Sequence, residues 1–425
     1  MNRILVCLLF LALISVPALA QTGIVQNSST SLLQIDPVTN TLVTLPGGGG
    51  GAVRGFCMGH DNALYQSWWT VNGIGRLDLS TNTWTTVCKD STNLILGAPY
   101  VPAYNYDAMG GPGLWVVDGN PIATSFRNTC TIDMTANTFA PDQVFANTFT
   151  PMSDGYPHPY KGGKFIGVGF STSDLRILEF TLQSPAPNTI DPTVIATLKT
   201  PCSYDSFIHE DTNLYCWSAT SGAFIGLEQV DLNSATTNTI SLGITYASTY
   251  YGAAWNEPWE QPGRLAYIVY NGDDKAYKVD LAATPPTAVS VVTLPAGSYY
   301  HGREVEEAQL VSWKISNTGR NFHLNFGAAN GGNFYVLAPS VAGYSPTAIT
   351  LPPNGLELWL WPDLFTFMGV TGTLGYASQG TLSRSGEADV KVDFGVTVGL
   401  NVLWAAVAYD AKGVQDISNL IMVDM

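Results

Sequence analysis

The sequence predicts an all-β protein, a six-bladed β-propeller followed by an antiparallel β-sandwich. Three observations carry this. A short signature, apolar-x-x-apolar-Asp-apolar, recurs through the first three hundred residues. Its copies lie about 40–50 residues apart, the length of one four-stranded blade. After about Trp313 the signature stops, and short alternating strands continue to the C-terminus.

The copies are Leu32-Leu33-Gln34-Ile35-Asp36, Ile74-Gly75-Arg76-Leu77-Asp78, Thr129-Cys130-Thr131-Ile132-Asp133, Leu227-Glu228-Gln229-Val230-Asp231 and Ala276-Tyr277-Lys278-Val279-Asp280. A weaker copy, Arg176 to Leu182 with Glu179 in the acidic place, fills the gap after the third. Each repeat reads as strand, signature strand, turn, outer strand. In the clearest, Ala63 to Trp69 leads to Gly73 to Leu79, then a Ser80-Thr81-Asn82 turn, then Thr83 to Val87. A carboxylate just before a turn accepts backbone N–H groups two residues on, so these aspartates are expected to be structural. The first copy lacks an inner strand, whereas Tyr299 to Val311 has an inner strand and no outer ones. The two ends therefore complete one blade, closing the ring and leaving no long exposed edge at the seam. Acidic positions are 42 residues apart between Asp36 and Asp78 and 55 between Asp78 and Asp133, so the excess falls in loops.

This pattern resembles secreted propellers with degenerate repeats, of the kelch and YVTN types, over residues 22 to about 311. The resemblance implies a fold and no activity. The kelch double glycine is missing from most copies. The terminal part, with Asn321 to Phe326, Phe334 to Ala338, Leu356 to Trp361, Glu387 to Phe394, Leu400 to Tyr409 and Leu420 to Val423, has the strand density of a sandwich. It resembles a C-terminal domain of exported proteins of planctomycete-like bacteria. The expected domains are 1–20, a signal peptide; 21–311, the propeller; and 312–425, the sandwich.

Arg3, the apolar run Ile4 to Val16 and Ala18-Leu19-Ala20 have the order of a secretory leader cleaved before Gln21. The run is shorter than the about 20 residues a membrane span needs. The expected location is secreted, extracellular or cell-surface, with the periplasm also open. The formal charge is −15, which argues against nucleic acid as a partner. An oxidising compartment permits disulfides. Cys57 with Cys88 and Cys202 with Cys216 are the expected pairs, leaving Cys130 as a buried thiol.

Propellers gather function where one outer strand hands over to the next inner strand. These segments read Val53 to Phe56, Tyr104 to Asp107, Gly155 to His158, Ser203 to Asp205, Tyr250 to Gly252 and Ser298 to His301. Five of the six carry Tyr, and Asp or His often follows. In one register, Tyr106, Tyr156, Tyr204, Tyr251 and Tyr300 would surround a channel mouth with Asp107, Asp205, His158 and His301. Aromatic faces with a few oriented polar groups suit sugar recognition. The same tyrosines also suit space-filling between blades. Asp107, Asp205 and Glu304 or Glu306 offer oxygen ligands to Ca²⁺; no other cofactor is expected. No nucleophile elbow, zinc-protease motif, phosphate loop or dinucleotide fingerprint occurs. The function expected is a non-enzymatic binding protein for a carbohydrate or protein partner. The alternatives are a hydrolase or lyase using Asp107 and Asp205 at the same face, and a structural surface component.

Overall fold

The computed structural model describes residues 22–27, 31–47, 53–59, 61, 63–68, 73–89, 99–106, 113–118, 128–133, 138–139, 143–145, 150–170, 175–181, 189–190, 192–198, 206–208, 213–220, 223–244, 252–256, 265–270, 274–297, 299–305, 309–397 and 399–425. Nearly all of the regular structure among them is strand; the helices are Leu364–Val370 and a 3-10 turn, Ala328–Asn330. No helix among the described residues is long and apolar enough to cross a membrane.

Between Gly23 and Glu304 the described strands form six sheets. Four follow a simple meander from inner to outer strand, and the third adds Thr189–Ile190, parallel to Gln143–Phe145, at its outer edge. The second is typical, with Val53–Met58, Leu64–Trp68, Gly73–Asp78 and Thr83–Lys89 in sequence order. The inner strands of the third to sixth sheets are Pro99–Tyr106, Thr150–Pro157, Ser206–Ile208 and Gly252–Asn256. The first sheet is built from both ends. Tyr299–Glu304 is its inner strand and pairs antiparallel with Gly23–Asn27, with Gly23 opposite Glu304 and Val25 opposite Gly302. Ser31–Asp36 and Thr41–Leu45 complete it.

Apolar contacts join sheet to sheet. Ile24, Leu32 and Leu45 of the first pack on Phe56, Leu64 and Leu77 of the second. Ile166 and Ile177 of the fourth meet Leu214 and Val230 of the fifth. Tyr215 and Leu227 of the fifth meet Ala266 and Ile268 of the sixth. Trp255 and Tyr267 of the sixth meet Val25 and Ile35 of the first. The inner strand of the third sheet touches those of the second and fourth. Each sheet thus packs on the next and the sixth packs on the first, which is a propeller. Period-two strands buried on both faces drive this stacking, because each sheet alone leaves two apolar faces in water.

The seam is tight. A Cβ at Gly302 would lie 2.3 Å from the Ala254 carbonyl oxygen, and one at Gly23 would lie 2.3 Å from the Trp255 ring. Only glycine lets the neighbouring strands approach so closely. Trp255 is fully buried and stacks on Tyr267 at 5.1 Å.

Four of the signature aspartates hold their turns among the described residues. Asp36 Oδ1 accepts from Val38 N and Thr39 N, Asp78 Oδ1 from Ser80 N and Thr81 N. Asp231 Oδ1 accepts from Asn233 N and Ser234 N, Asp280 Oδ1 from Ala282 N and Ala283 N. Asn40 and Asn82 follow with φ of 55° and 54°, the left-handed geometry that asparagine tolerates. The weak repeat differs. Lys164, first in its strand, faces Thr181 rather than Glu179, so Glu179 lies two residues before the end of Leu175–Thr181.

Two expectations are corrected. The strand at Tyr299 ends at Glu304; Gln309–Lys314 pairs instead with Gly319–Asn325 in another sheet. Cys57 is a buried free thiol. It lies on the inner strand, whereas Cys88 lies on the outer strand opposite Ile74. Two strands separate them, a span of about 14 Å at the usual strand spacing, beyond disulfide reach. Cys216 is buried beside the fourth sheet; Cys202 lies outside the described residues.

Beyond Gln309, Gly319–Asn325 and Glu387–Asp393 join Gln309–Lys314 in a three-stranded sheet. It faces a five-stranded sheet centred on Phe334–Ser340 and Asn401–Asp410. Leu310, Phe322, Leu324 and Val390 of one meet Leu337, Val402, Trp404 and Ala406 of the other in a shared core. Asn419 serves as a strand surrogate, its side chain accepting from Leu310 N and donating to Leu310 O.

The turn carboxylates bear on stability. The Ser80 hydroxyl, above all, holds the Asp78 pKa below the ordinary value, with help from the Thr81 and Ser80 amides. A depressed carboxylate stabilises the fold above the normal Asp range and loses that contribution as the pH falls through its folded pKa. Asp78→Ala should cost about 1 kcal/mol near neutral pH, and thermal unfolding should show the gap from wild type closing on acidification below about pH 4.

Candidate functional site

Propeller topology gives the channel two unlike ends. At the hand-over end the inner strands begin. At the hairpin end they turn into the second strands. The inner strand of the first sheet runs toward the hairpin end and there leaves for the sandwich.

The predicted site residues fall at both ends. Tyr106 closes Pro99–Tyr106 opposite Gly113, Tyr156 is the penultimate residue of Thr150–Pro157, and His158 follows it, so these three mark the hairpin end. Tyr300 and His301 lie in the first half of Tyr299–Glu304, toward the hand-over end. In sequence, Tyr251 precedes Gly252–Asn256, and Tyr204 and Asp205 precede Ser206–Ile208. Asp107, Tyr204, Asp205 and Tyr251 lie outside the described residues, as does Glu306; the side chains of Tyr106, Tyr300 and Glu304 do too. Among the described residues, Tyr106 and Tyr156 lie at the ends of their strands and Tyr300 in the first half of its own. The third and fourth inner strands are eight residues long, and their tyrosines mark the far end rather than the start. Among the described residues no cluster of three or more His, Cys, Asp or Glu is placed to hold a metal ion.

His158 is 2% exposed. Its Nδ1 accepts from Tyr160 N at 3.0 Å, which puts the proton of the neutral ring on Nε2. Nε2 lies 3.3 Å from Glu179 Oε2, a polar contact poorly aligned for a hydrogen bond. Burial, aided by Lys161 and Lys164 and opposed by Glu179, pulls the His158 pKa down to about 4. Burial disfavours ionised Glu179, but Lys161 Nζ at 2.5 Å and the nearby Lys164 outweigh it and hold its pKa below the usual range.

This cluster braces residues 158–164 against the sandwich. Tyr160 meets Tyr344 edge to face at 5.8 Å. Gly162 N donates to Asn401 Oδ1 at 2.9 Å. A Cβ at Gly162 would lie 2.1 Å from Asp424 N. These contacts seat the sandwich at the hairpin end.

Sequence reasoning missed Arg303. It lies near the hairpin end of the first inner strand, partly exposed, opposite Ile24. Its guanidinium carbon is 5.2 Å from the centroid of the Tyr156 ring. Tyr156 belongs to the fourth sheet, so this contact joins the inner strands of the first and fourth sheets. Arg303 Nη1 also donates to Gly302 O at 2.7 Å. Cys57 lies close to Arg303; burial pushes its thiol up to about 12, against the pull of that cation, so it stays neutral. The available signal was an arginine on an inner strand in a chain with only 18 basic residues.

No family profile matches the sequence, and comparison with curated proteins yields no match. Among solved structures, TolB from Acinetobacter baumannii is similar at 10% identity over 67% of this chain and 66% of its own, with TM-score 0.43. This chain thus spans just under two thirds of TolB. A protein of unknown function from Bacteroides caccae is similar at 13% identity over 67% of this chain and 99% of its own, TM-score 0.45. Virginiamycin B lyase from Staphylococcus aureus is similar at 10% identity over 73% and 94%, TM-score 0.40. Likeness this distant carries no argument about activity.

The buried His158 makes a pH signature. A histidine whose folded pKa lies below its unfolded value adds stability above about pH 6.5. That stability drains away as the pH falls toward about 4. The difference in thermal midpoint between wild type and His158→Phe should change across this window and stay flat above it.

Proposed function

We propose that the chain is an exported, non-enzymatic binding protein. Residues 1–20 are its leader, 21–311 a six-bladed propeller and 312–425 a sandwich. The propeller recognises a carbohydrate or protein partner at the hand-over end of its channel. The observation that carries this reading is the seating of the sandwich at the hairpin end, through residues 158–164. The hand-over end is then the face on which a partner approaches.

Tyr300, with Tyr204, Tyr251 and Asp205 by their sequence positions, belongs to that end, and His301 lies just inside it. Tyrosine faces supply apolar stacking area and a carboxylate orients hydroxyl groups, the combination that saccharides take; His301, only 3% exposed, is buried. Tyr106 and His158 are assigned to the other end and to structural work.

The test is isothermal titration of the mature chain with a panel of soluble oligosaccharides. Loss of one stacking face costs about 0.5–1.5 kcal/mol. Tyr300→Ala should therefore weaken binding about three- to tenfold, and Tyr106→Ala should leave it unchanged. Equal effects of the two substitutions would sink the assignment of the face.

A further inference from the structure

One loop of the propeller carries a run of contacts into the sandwich. Residues 158–164 join the inner and second strands of the fourth sheet. His158 N donates to Lys164 O at 2.9 Å and closes the loop. Inside it, Tyr160 N donates to His158 Nδ1 at 3.0 Å, and the two rings meet edge to face at 6.2 Å. Tyr160 in turn meets Tyr344 of the sandwich edge to face. Two residues on, Gly162 N donates to Asn401 Oδ1, and the backbone of Val423 and Asp424 leaves no room for a Cβ at Gly162. Surfaces packed this closely tolerate little displacement of Tyr160 or Gly162.

The hydrogen bond from Tyr160 N exists only while Nδ1 is an acceptor. A neutral imidazole has one acceptor nitrogen, and an imidazolium has none. Protonation turns Nδ1 into a donor aimed at another donor, on a side chain that is 2% exposed. Buried N–H groups left without an acceptor are costly. The surrounding charges do not remove the conflict. Lys161 on the loop and Lys164 on the second strand both disfavour an imidazolium. Glu179 on the next strand favours it, but faces Nε2, and its Oε2 already accepts from Lys161 Nζ. From the sandwich come Tyr344, whose hydroxyl burial keeps neutral, and Asp424, which meets the loop through its backbone at Gly162. Among the described residues the contact made at Nδ1 is the one with Tyr160. A charged ring relieves the clash by turning Nδ1 toward Glu179 or by moving outward. Either movement withdraws the acceptor that positions Tyr160.

We propose that His158 is an acid-sensitive latch: the neutral ring holds Tyr160 and the 158–164 loop against the sandwich, and protonation of the ring releases them. The latch lies at the hairpin end and is independent of what binds at the hand-over end.

Hydrogen exchange of the mature chain, corrected for the intrinsic pH dependence of exchange, measures the opening. Burial holds the docked ring at a pKa of about 4, and a released ring returns to about 6.5. The open loop is therefore favoured up to about tenfold for each pH unit lost between these values, and no further below them. Protection of the Tyr160 and Gly162 amides should fall accordingly, while Leu175–Thr181 in the same sheet stays protected. His158→Asn, whose side-chain oxygen replaces the Nδ1 acceptor and does not titrate, should keep the loop protected throughout. Constant protection in wild type, an equal loss in Leu175–Thr181, or the same fall in folded His158→Asn overturns the latch. If His158→Asn does not fold, the His158 ring titration of wild type, followed by NMR, decides. The fall in protection must level off where the ring titrates, and a fall that continues below that pH overturns the latch.

Discussion

Everything in this molecule depends on the pairing of its two distant ends in one sheet. Gly23–Asn27 has no inner partner until Tyr299–Glu304 arrives, nearly three hundred residues later. Until then the first sheet lacks its inner strand, and Val25, Ile35 and Trp255 have no shared core. Such a contact is non-local in the extreme, and its loop-closure entropy has to be met before it contributes. The two glycines at the seam matter for this reason. They bring the Ala254 backbone and the Trp255 ring within contact of the closing strands.

Closure also sets the direction of the chain. The last inner strand ends at the hairpin end, so the sandwich begins there and docks there. Residues 158–164, held by the neutral His158 and the ionised Glu179, form one side of that contact. Arg303, the penultimate residue of the closing strand, lies over the Tyr156 ring. One strand thus completes the ring, delivers the sandwich and places a cation over Tyr156 of the fourth sheet.

What could be read in the sequence was local. The aspartate turns are legible because the carboxylate and the amides it accepts are two or three residues apart. The sandwich strands are legible because alternation is a property of five consecutive residues: Glu387–Asp393 and Phe334–Ser340 fall where the pattern puts them. The strand register around the channel was not legible. Tyrosine followed by Asp or His occurs at the start of some inner strands and at the end of others, and strand length alone separates Tyr300 from Tyr156. The Cys57–Cys88 pairing failed for a related reason, since closeness in one repeat says nothing of which strands lie between. The contact of Arg303 with Tyr156 was invisible because the two are nearly 150 residues apart in sequence.

The measurement that bears most directly on this account is native-state hydrogen exchange of the mature chain, resolved to the two seam strands. If they close the ring on each other, amides in Gly23–Asn27 and Tyr299–Glu304 that share the ladder exchange with one common opening free energy and rise or fall together with added denaturant. Rapid exchange of Tyr299–Glu304 beside a protected Gly23–Asn27 would contradict the closure, and with it the placement of the sandwich and of Arg303.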